Sequence, residues 1–291
     1  MLEQILRLGI PAGSLQKATI GLFGKAGFHI RDSERSYLPE IDDEEIRLTC
    51  LRAQEMSRYV ADGVLDAGIT GYDWILESGS DVIEVCELAY SKRTNNPARW
   101  VLAVPDESRV TKPEDLQGGA VATELVNVTR RYFAERDIDV KVEFSWGATE
   151  VKARLVDGIV ELTETGRSLR ANGLRIIDTV ITSTTRLIAN RDSWRDQFKR
   201  NKIENIVMLL KAAIESASKV GLKMNVSKKD LGSILKLLPA EKSPTVSSLA
   251  DSDYVAIEVI VDDKVERSLI PALKRAGASG IITYALNKVM H

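Results

Sequence analysis

Along the first two-thirds of the chain, short apolar runs alternate with stretches whose apolar positions recur at helical spacing. A period of two marks strands and a period of 3.6 marks helices. Ile5–Ile10 reads as a strand, followed by the turn Pro11-Ala12-Gly13-Ser14 and a helix through Lys25 that Gly27 stops. Ile46–Leu51 is a strand, Ala53–Asp62 a helix ending at Gly63, and Asp66–Gly71 a strand running into a glycine turn before a helix over Tyr72–Ser78. Trp100–Val104 is a strand closed by Pro105. Pro113-Glu114-Asp115-Leu116 opens a short helix with proline and acids in its first turn. A strand at Val121–Thr123 and a helix from Asn127 to Arg136 follow. Strands separated by helices of this length predict an α/β fold with mostly parallel sheet, whose ligands bind outside the carboxyl ends of the strands. The glycine-bearing turns after Ile10, Ile69 and Val160 occupy such positions.

The tail follows a different rhythm. A long amphipathic helix over Arg195–Ser218 precedes a strand at Val220–Val226, a helix at Lys229–Leu238, strands at Thr245–Leu249 and Tyr254–Val261, a helix at Val265–Ala276 and a strand at Gly280–Ala285. The order after the long helix, βαββαβ, is that of a ferredoxin-like unit, expected as a separate C-terminal domain.

Composition narrows the chemistry. At 291 residues the chain has room for two or three domains. A formal net charge of −2 argues against broad binding to nucleic acid or anionic membranes. An anionic substrate must therefore be met by a local site. Cys50 and Cys86 are too few for a disulfide scaffold. His29 and His291, the only histidines, leave almost no material for Ser-His or Cys-His triads or His-rich metal centres. No run approaches the ~18 apolar residues of a membrane span, and the expected location is the cytoplasm.

The most informative stretch is Asp157-Gly158-Ile159-Val160-Glu161-Leu162-Thr163-Glu164-Thr165-Gly166-Arg167-Ser168-Leu169, an apolar run ending in a carboxylate and then in hydroxyls, a glycine and a cation that open a helix. Gly166 permits close backbone approach, and the amides of Gly166, Arg167 and Ser168 can converge on a phosphate. Thr165 and Ser168 add donors. Glu161 or Asp157 can hold ribose hydroxyls or a magnesium ion. Spacing alone favours the plainer reading, a strand–turn–helix capped by Thr165.

This arrangement resembles the phosphoribosyl-diphosphate loop of phosphoribosyltransferases, and the wider context resembles ATP phosphoribosyltransferase in its long form. Leu8-Gly9-Ile10-Pro11-Ala12-Gly13-Ser14-Leu15 is similar to the family's N-terminal turn, Leu65–Asp73 to its Asp-x-Gly-Ile-x-Gly segment, Gly147-Ala148-Thr149-Glu150-Val151 to its Gly-x-x-Glu turn, and Thr165–Leu174 to its phosphate loop. Ser243-Pro244-Thr245-Val246 and Leu249–Ile257 resemble the C-terminal regulatory domain. Four departures stand out: Ala12 replaces a lysine, Glu161 stands where aspartate is common, the Glu150–Asp157 link is short, and Tyr90–Arg99 does not match.

The resemblance implies a two-lobed, periplasmic-binding-protein-like catalytic part: residues 1–90 with 181–205 as lobe I, 91–180 as lobe II, and 206–291 as an ACT-like regulatory domain. It implies transfer of phosphoribosyl from phosphoribosyl diphosphate to N1 of ATP, with magnesium assisting pyrophosphate departure. Thr163, Glu164, Thr165, Gly166, Arg167 and Ser168 would hold phosphoribosyl diphosphate, with Glu161 on the ribose hydroxyls and the metal and Asp157 as second choice. Arg52, Gly71, Asp73 and Arg99 would meet ATP, with Arg52 the leading cation ahead of Lys92, Arg93 and Lys152. Histidine, as inhibitor, would bind Asn225, Ser243 and Thr245, and the assembly would be a homo-oligomer, from dimer to hexamer. Two competing readings are a prephenate dehydratase-like enzyme, whose Thr-Arg-Phe segment Thr129-Arg130-Arg131-Tyr132 only approximates, and a non-catalytic metabolite sensor.

Overall fold

A computed structural model describes residues 4–31, 37–90, 97–239 and 244–290. The chain divides into two compact units, Met1–Val207 and Met208–His291.

The first unit holds two five-stranded sheets. Lobe I contains β1 (Leu6–Pro11), α1 (Gln16–Ala26), the short pair β2 (Ile30–Arg31) and β3 (Glu40–Ile41), β4 (Ile46–Leu51), α2 (Ala53–Ala61), β5 (Ala67–Gly71), α3 (Tyr72–Ser78) and β6 (Ile83–Leu88). Lobe II contains β7 (Ala98–Pro105), β8 (Ala120–Thr123), α4 (Val126–Ala134), β9 (Lys141–Phe144), α5 (Thr149–Lys152), β10 (Gly158–Thr163), α6 (Arg167–Ala171) and β11 (Leu174–Ser183). The chain then returns to lobe I as β12 (Thr185–Ala189) and continues into α7 (Arg191–Arg195) and α8 (Gln197–Ser216).

The sheets run β4-β1-β5-β12-β6 and β11-β7-β10-β8-β9. Both are mixed, which corrects the expectation of mostly parallel sheet. β1 pairs in parallel with β4 and β5, and β8 with β9 and β10. The crossing strands β6, β7, β11 and β12 pair antiparallel. A helical crossover enforces parallel pairing. β6 and β11 follow helical crossovers (α3 and α6) and run parallel to β5 and β10; β12 and β7, which enter from the other lobe, are the strands inserted antiparallel between them.

Packing explains two glycines. A Cβ on Gly9 of β1 or Gly68 of β5 would meet the Met56 sulfur at 2.3 and 2.7 Å. Those glycines let α2 lie directly on the sheet, with Met56 fully buried between the two strands. Asp66, just before β5, is also fully buried. It accepts from Arg7 at 2.8 Å, Lys199 at 2.8 Å and Ser193 at 2.7 Å, tying β1, α7 and α8 to the sheet. Burial alone would raise its pKa; the hydrogen bonds from Arg7 and Lys199 prevail and hold the carboxyl well below the usual range.

The helix expected over Arg195–Ser218 is α8, two residues shorter at each end, and a separate short helix, α7, precedes it. Asn190 caps α7 by accepting from the amides of Asp192 and Ser193 at 2.9 and 3.1 Å, and Asp196 takes an extended conformation before α8 begins.

The second unit contains β13 (Lys219–Ser227), α9 (Leu231–Leu237), β14 (Thr245–Ser248), β15 (Tyr254–Asp262), α10 (Asp263–Arg275) and β16 (Ser279–Ala285). The strands form one antiparallel sheet in the order β14-β15-β13-β16, the ferredoxin-like order. Leu222, Met224, Val226 and Ile257 pack with Ile234 of α9 and Leu273 of α10 to make its core.

Candidate active site

A cleft of about 850 Å³ lies between the two sheets of the first unit. Its lobe II wall is the segment after β10. Thr163 accepts the amide of Gly166 at 2.7 Å, closing a tight turn. Gly166 is left-handed (φ 70°) and stands at the cap position of α6; a Cβ there would meet the Arg170 guanidinium at 3.0 Å. The expected cap, Thr165, is thus replaced by a Thr163–Gly166 turn, which leaves the Thr165 side chain on the cleft. Arg170 donates to the Thr165 carbonyl at 3.0 Å, and Ser168 donates to Glu150 at 2.7 Å, fixing the loop against the start of α5. Thr163, Glu164, Thr165, Arg167 and Ser168 all line the cleft, and Gly166 supplies the bend.

Glu161 stands at the head of this loop and also lines the cleft. Burial raises its pKa to about 7, helped by the neighbouring charges of Glu150 and Glu124, against a 2.9 Å bond from the Leu162 amide. Carboxylates dominate the lining: Glu87, Glu124, Glu150 and Glu164 join it, while Arg52 and Arg167 are its arginines among the described residues. No group of three or more His, Cys, Asp or Glu side chains among the described residues can hold a metal ion. An oxygen-seeking cation here would rest mainly on a polyphosphate, with Glu161 as the protein's carboxylate.

Lobe I contributes the turn Pro11–Leu15 after β1, including Ala12, and Arg52, Ala53 and Gln54 at the start of α2. Lys17, four residues beyond the turn's glycine, is exposed on α1 and does not line the cleft. Gly71 ends β5 on the cleft floor with Trp74, Trp100 and Ser183–Thr185.

Three expected site residues are placed elsewhere or engaged. Asp157 sits at the opposite end of β10, where its carboxylate accepts the Ala120 amide at 2.8 Å and pins the start of β8. Arg99 lies in the β7 ladder opposite Thr163 and Thr182 and does not line the cleft. Asp73 reaches the floor but is committed: it accepts from Trp100 Nε1 at 2.6 Å and Ser183 Oγ at 2.9 Å. Burial raises its pKa, and those bonds oppose the rise. It is a tie between the lobes. Lys152 donates to the Phe144 carbonyl at 3.4 Å and also lies off the lining. Lys92 and Arg93 fall outside the described residues. In the second unit Asn225 and Thr245 are exposed on β13 and β14, in neighbouring rows bridged by Ala256 and Glu258 of β15; Ser243 is outside the described residues.

Comparison with known proteins decides the family. A model of the ATP phosphoribosyltransferase family matches residues 52–212, and a model of that family's C-terminal domain matches residues 217–288. The ATP phosphoribosyltransferase of Chlorobaculum parvum is 55% identical over 289 residues, covering 99% of this chain and 98% of its own length. The chain belongs to the ATP phosphoribosyltransferase family. It is the long form, a pentosyltransferase enzyme of histidine biosynthesis, and the dehydratase-like and non-catalytic readings fall away. The ATP phosphoribosyltransferase of Nitratidesulfovibrio vulgaris is 54% identical over 287 residues, covering 98% of each chain. Among solved structures, the ATP phosphoribosyltransferase HisG:HisZ complex of Thermotoga maritima matches with a TM-score of 0.62 and 30% identity, over 74% of this chain and all of that one. With that match and the two mixed sheets around a cleft, the catalytic part is the two-lobed, periplasmic-binding-protein-like fold.

Proposed function

We propose that the cleft joins N1 of ATP's adenine to C1 of phosphoribosyl diphosphate, with inversion and loss of pyrophosphate. The observation that carries this reading is the Thr163–Ser168 loop, with Glu161 at its head, facing Arg52 across one cleft. In this mechanism Thr165–Ser168 hold the 5′-phosphate through hydroxyls and amides, and Glu161 receives the ribose hydroxyls. Arg52 meets phosphate on the nucleotide side. Bond breaking with oxocarbenium character needs positioning and charge stabilisation more than a strong base, which suits a cleft without histidine. Magnesium, when bound with the diphosphate, neutralises the leaving pyrophosphate, and Glu161 is the carboxylate that would touch it. Because Arg52 and Arg167 are few against the glutamates, polyphosphate binding leans on that metal charge. Closure of the lobes would exclude water from the phosphoribosyl group.

The ferredoxin-like unit is read as the regulatory domain, taking histidine at Asn225, Ser243 and Thr245 and inhibiting turnover. Assembly is read as a homo-oligomer, from dimer to hexamer, in the cytoplasm; among the described residues no helix is long and apolar enough to cross a membrane. The decisive assay mixes protein, ATP, phosphoribosyl diphosphate, magnesium and pyrophosphatase, and follows the absorbance of N1-substituted adenine. Absence of product overturns the reading. Thr245→Ala should weaken inhibition by histidine while uninhibited turnover stays near normal; equal loss of both would remove the regulatory assignment.

A further inference from the structure

Ser183, Thr184 and Thr185 follow one another where the chain returns from lobe II to lobe I, and all three line the cleft. Two of the hydroxyls are used within the protein. Ser183 donates to Asp73 at 2.9 Å, and Thr185 donates to the Tyr90 carbonyl at 3.0 Å. The backbone of Thr184 is held as well, since its carbonyl accepts the Tyr72 amide at 3.0 Å. Its own hydroxyl differs: Oγ1 is buried and has no hydrogen-bond partner among the described residues. A buried hydroxyl without a protein partner is a net cost to folding, and valine would fill the same shape without that cost.

Strand register shows what surrounds it. Ser183 pairs with Ala98 of β7, and Thr185 pairs with both Gly71 of β5 and Leu88 of β6. Trp74, two residues past Tyr72, packs edge-on against Trp100 with ring centroids 5.9 Å apart, and both rings line the cleft. The patch is rich in aromatic surface, and of the three neighbouring hydroxyls that of Thr184 is the one without a partner among the described residues. Phosphate would require cations or converging amides, and the cleft's arginines lie instead at the start of α2 and in the Thr163–Ser168 loop. A planar heterocycle fits: its faces need apolar area and its edge needs a single polar partner.

We propose that the Thr184 hydroxyl contacts the adenine base of ATP. This rests on the reading of the cleft given under Proposed function. A hydroxyl can accept from the exocyclic N6 amine or donate to N7, and either contact leaves N1 open for attack on the ribose. Its position at the crossover also suits the role, because a group beside the hinge is displaced least when two lobes close.

The test uses the full chain with Thr184→Val and Thr184→Ser, measuring steady-state kinetics, calorimetric ATP binding and thermal unfolding without substrate. Thr184→Val should raise the Kd and KM for ATP about five- to tenfold, the loss of one hydrogen bond, with KM for phosphoribosyl diphosphate unchanged. Substrate-free Tm should stay level or rise, since an unpaired buried hydroxyl is gone. Thr184→Ser should keep ATP affinity close to that of the parent. Unchanged ATP affinity in Thr184→Val, an equal rise in KM for phosphoribosyl diphosphate, or a fall in Tm would each overturn the proposal. Failure of the parent protein to form product would instead overturn the reading of the cleft.

Discussion

Asp66 and Glu161 are both carboxylates beside central strands, one in each lobe, and their surroundings set them opposite tasks. Asp66 is walled in by Arg7, Lys199 and Ser193, and its charge is spent on holding β1, β5, α7 and α8 together. Glu161 has glutamates for neighbours and a cleft in front of it. A buried carboxylate matched by cations inside the fold reads as structure. One that has amide and hydroxyl donors but no cation beside it among the described residues is poised for a ligand that brings positive charge or hydroxyl donors.

The largest effect should come from breaking the matched site. Asp66→Ala leaves Lys199 and Arg7 without their partner and should cost about 3 kcal/mol, the lower end for a broken buried pair because both cations can reach water. Denaturant unfolding measures it, and a loss below about 1 kcal/mol would show that the triad is not what fastens the sheet. Its pH dependence has a definite sign. The folded pKa lies below the unfolded one, so this stabilisation is complete above the unfolded value of about 4 and is lost as pH falls from there down through the lower folded value. Asp66→Asn should flatten the acid limb.

Glu161 should behave in the reverse sense. Its folded pKa of about 7 exceeds the unfolded value, so stability declines as pH rises from the ordinary carboxyl range to about 7 and levels off above it. Glu161→Gln should remove that decline, visible as Tm compared between acid and alkaline buffers, and should lower turnover about 10- to 100-fold. A variant with parental turnover would return Glu161 to a structural role.

A smaller effect isolates the loop. Ser168→Ala breaks the bond to Glu150 that fixes the loop proposed to hold the 5′-phosphate. KM for phosphoribosyl diphosphate should rise about fivefold, and a change confined to KM for ATP would contradict the loop's assignment.

The smallest concerns the seam between the lobes. Glu77 at the end of α3 accepts the amides of Asn127 and Val128 at 2.9 and 3.0 Å, so a side chain of lobe I caps a helix of lobe II. Glu77→Ala should cost about 1 kcal/mol and speed hydrogen exchange at those two amides. Unchanged exchange would mean that water replaces the cap at no loss.

Much of this was legible where one period ran uninterrupted. Ile46–Leu51 and Tyr72–Ser78 have the expected bounds, and the tail's βαββαβ order stands. β11 carries no clear strand signal because register shifts at Ile176/Asp178 and Thr179/Ile181 break its alternation, and Asp178 interrupts its apolar run. The loop residues Thr163–Ser168 were readable from residue type. Asp157 was not separable from Glu161 without knowing where the strand lies. Four residues of extended chain carry the two carboxylates about 13 Å apart, to opposite ends of β10. Thr184 was hidden for another reason: in a run of hydroxyl residues, only the partners of each oxygen tell one from the next.

The place of β12 has a consequence for the order in which the molecule is made. Among the described residues β6 pairs within its sheet only with β12, and β12 is synthesised after the whole of lobe II. On a ribosome adding roughly 5–20 residues per second, β6 waits several seconds for its neighbour. Every strand of the second sheet has emerged by then. The lobe begun first is finished second, and an exposed sheet edge is present throughout that interval for a chaperone, or another nascent chain, to find.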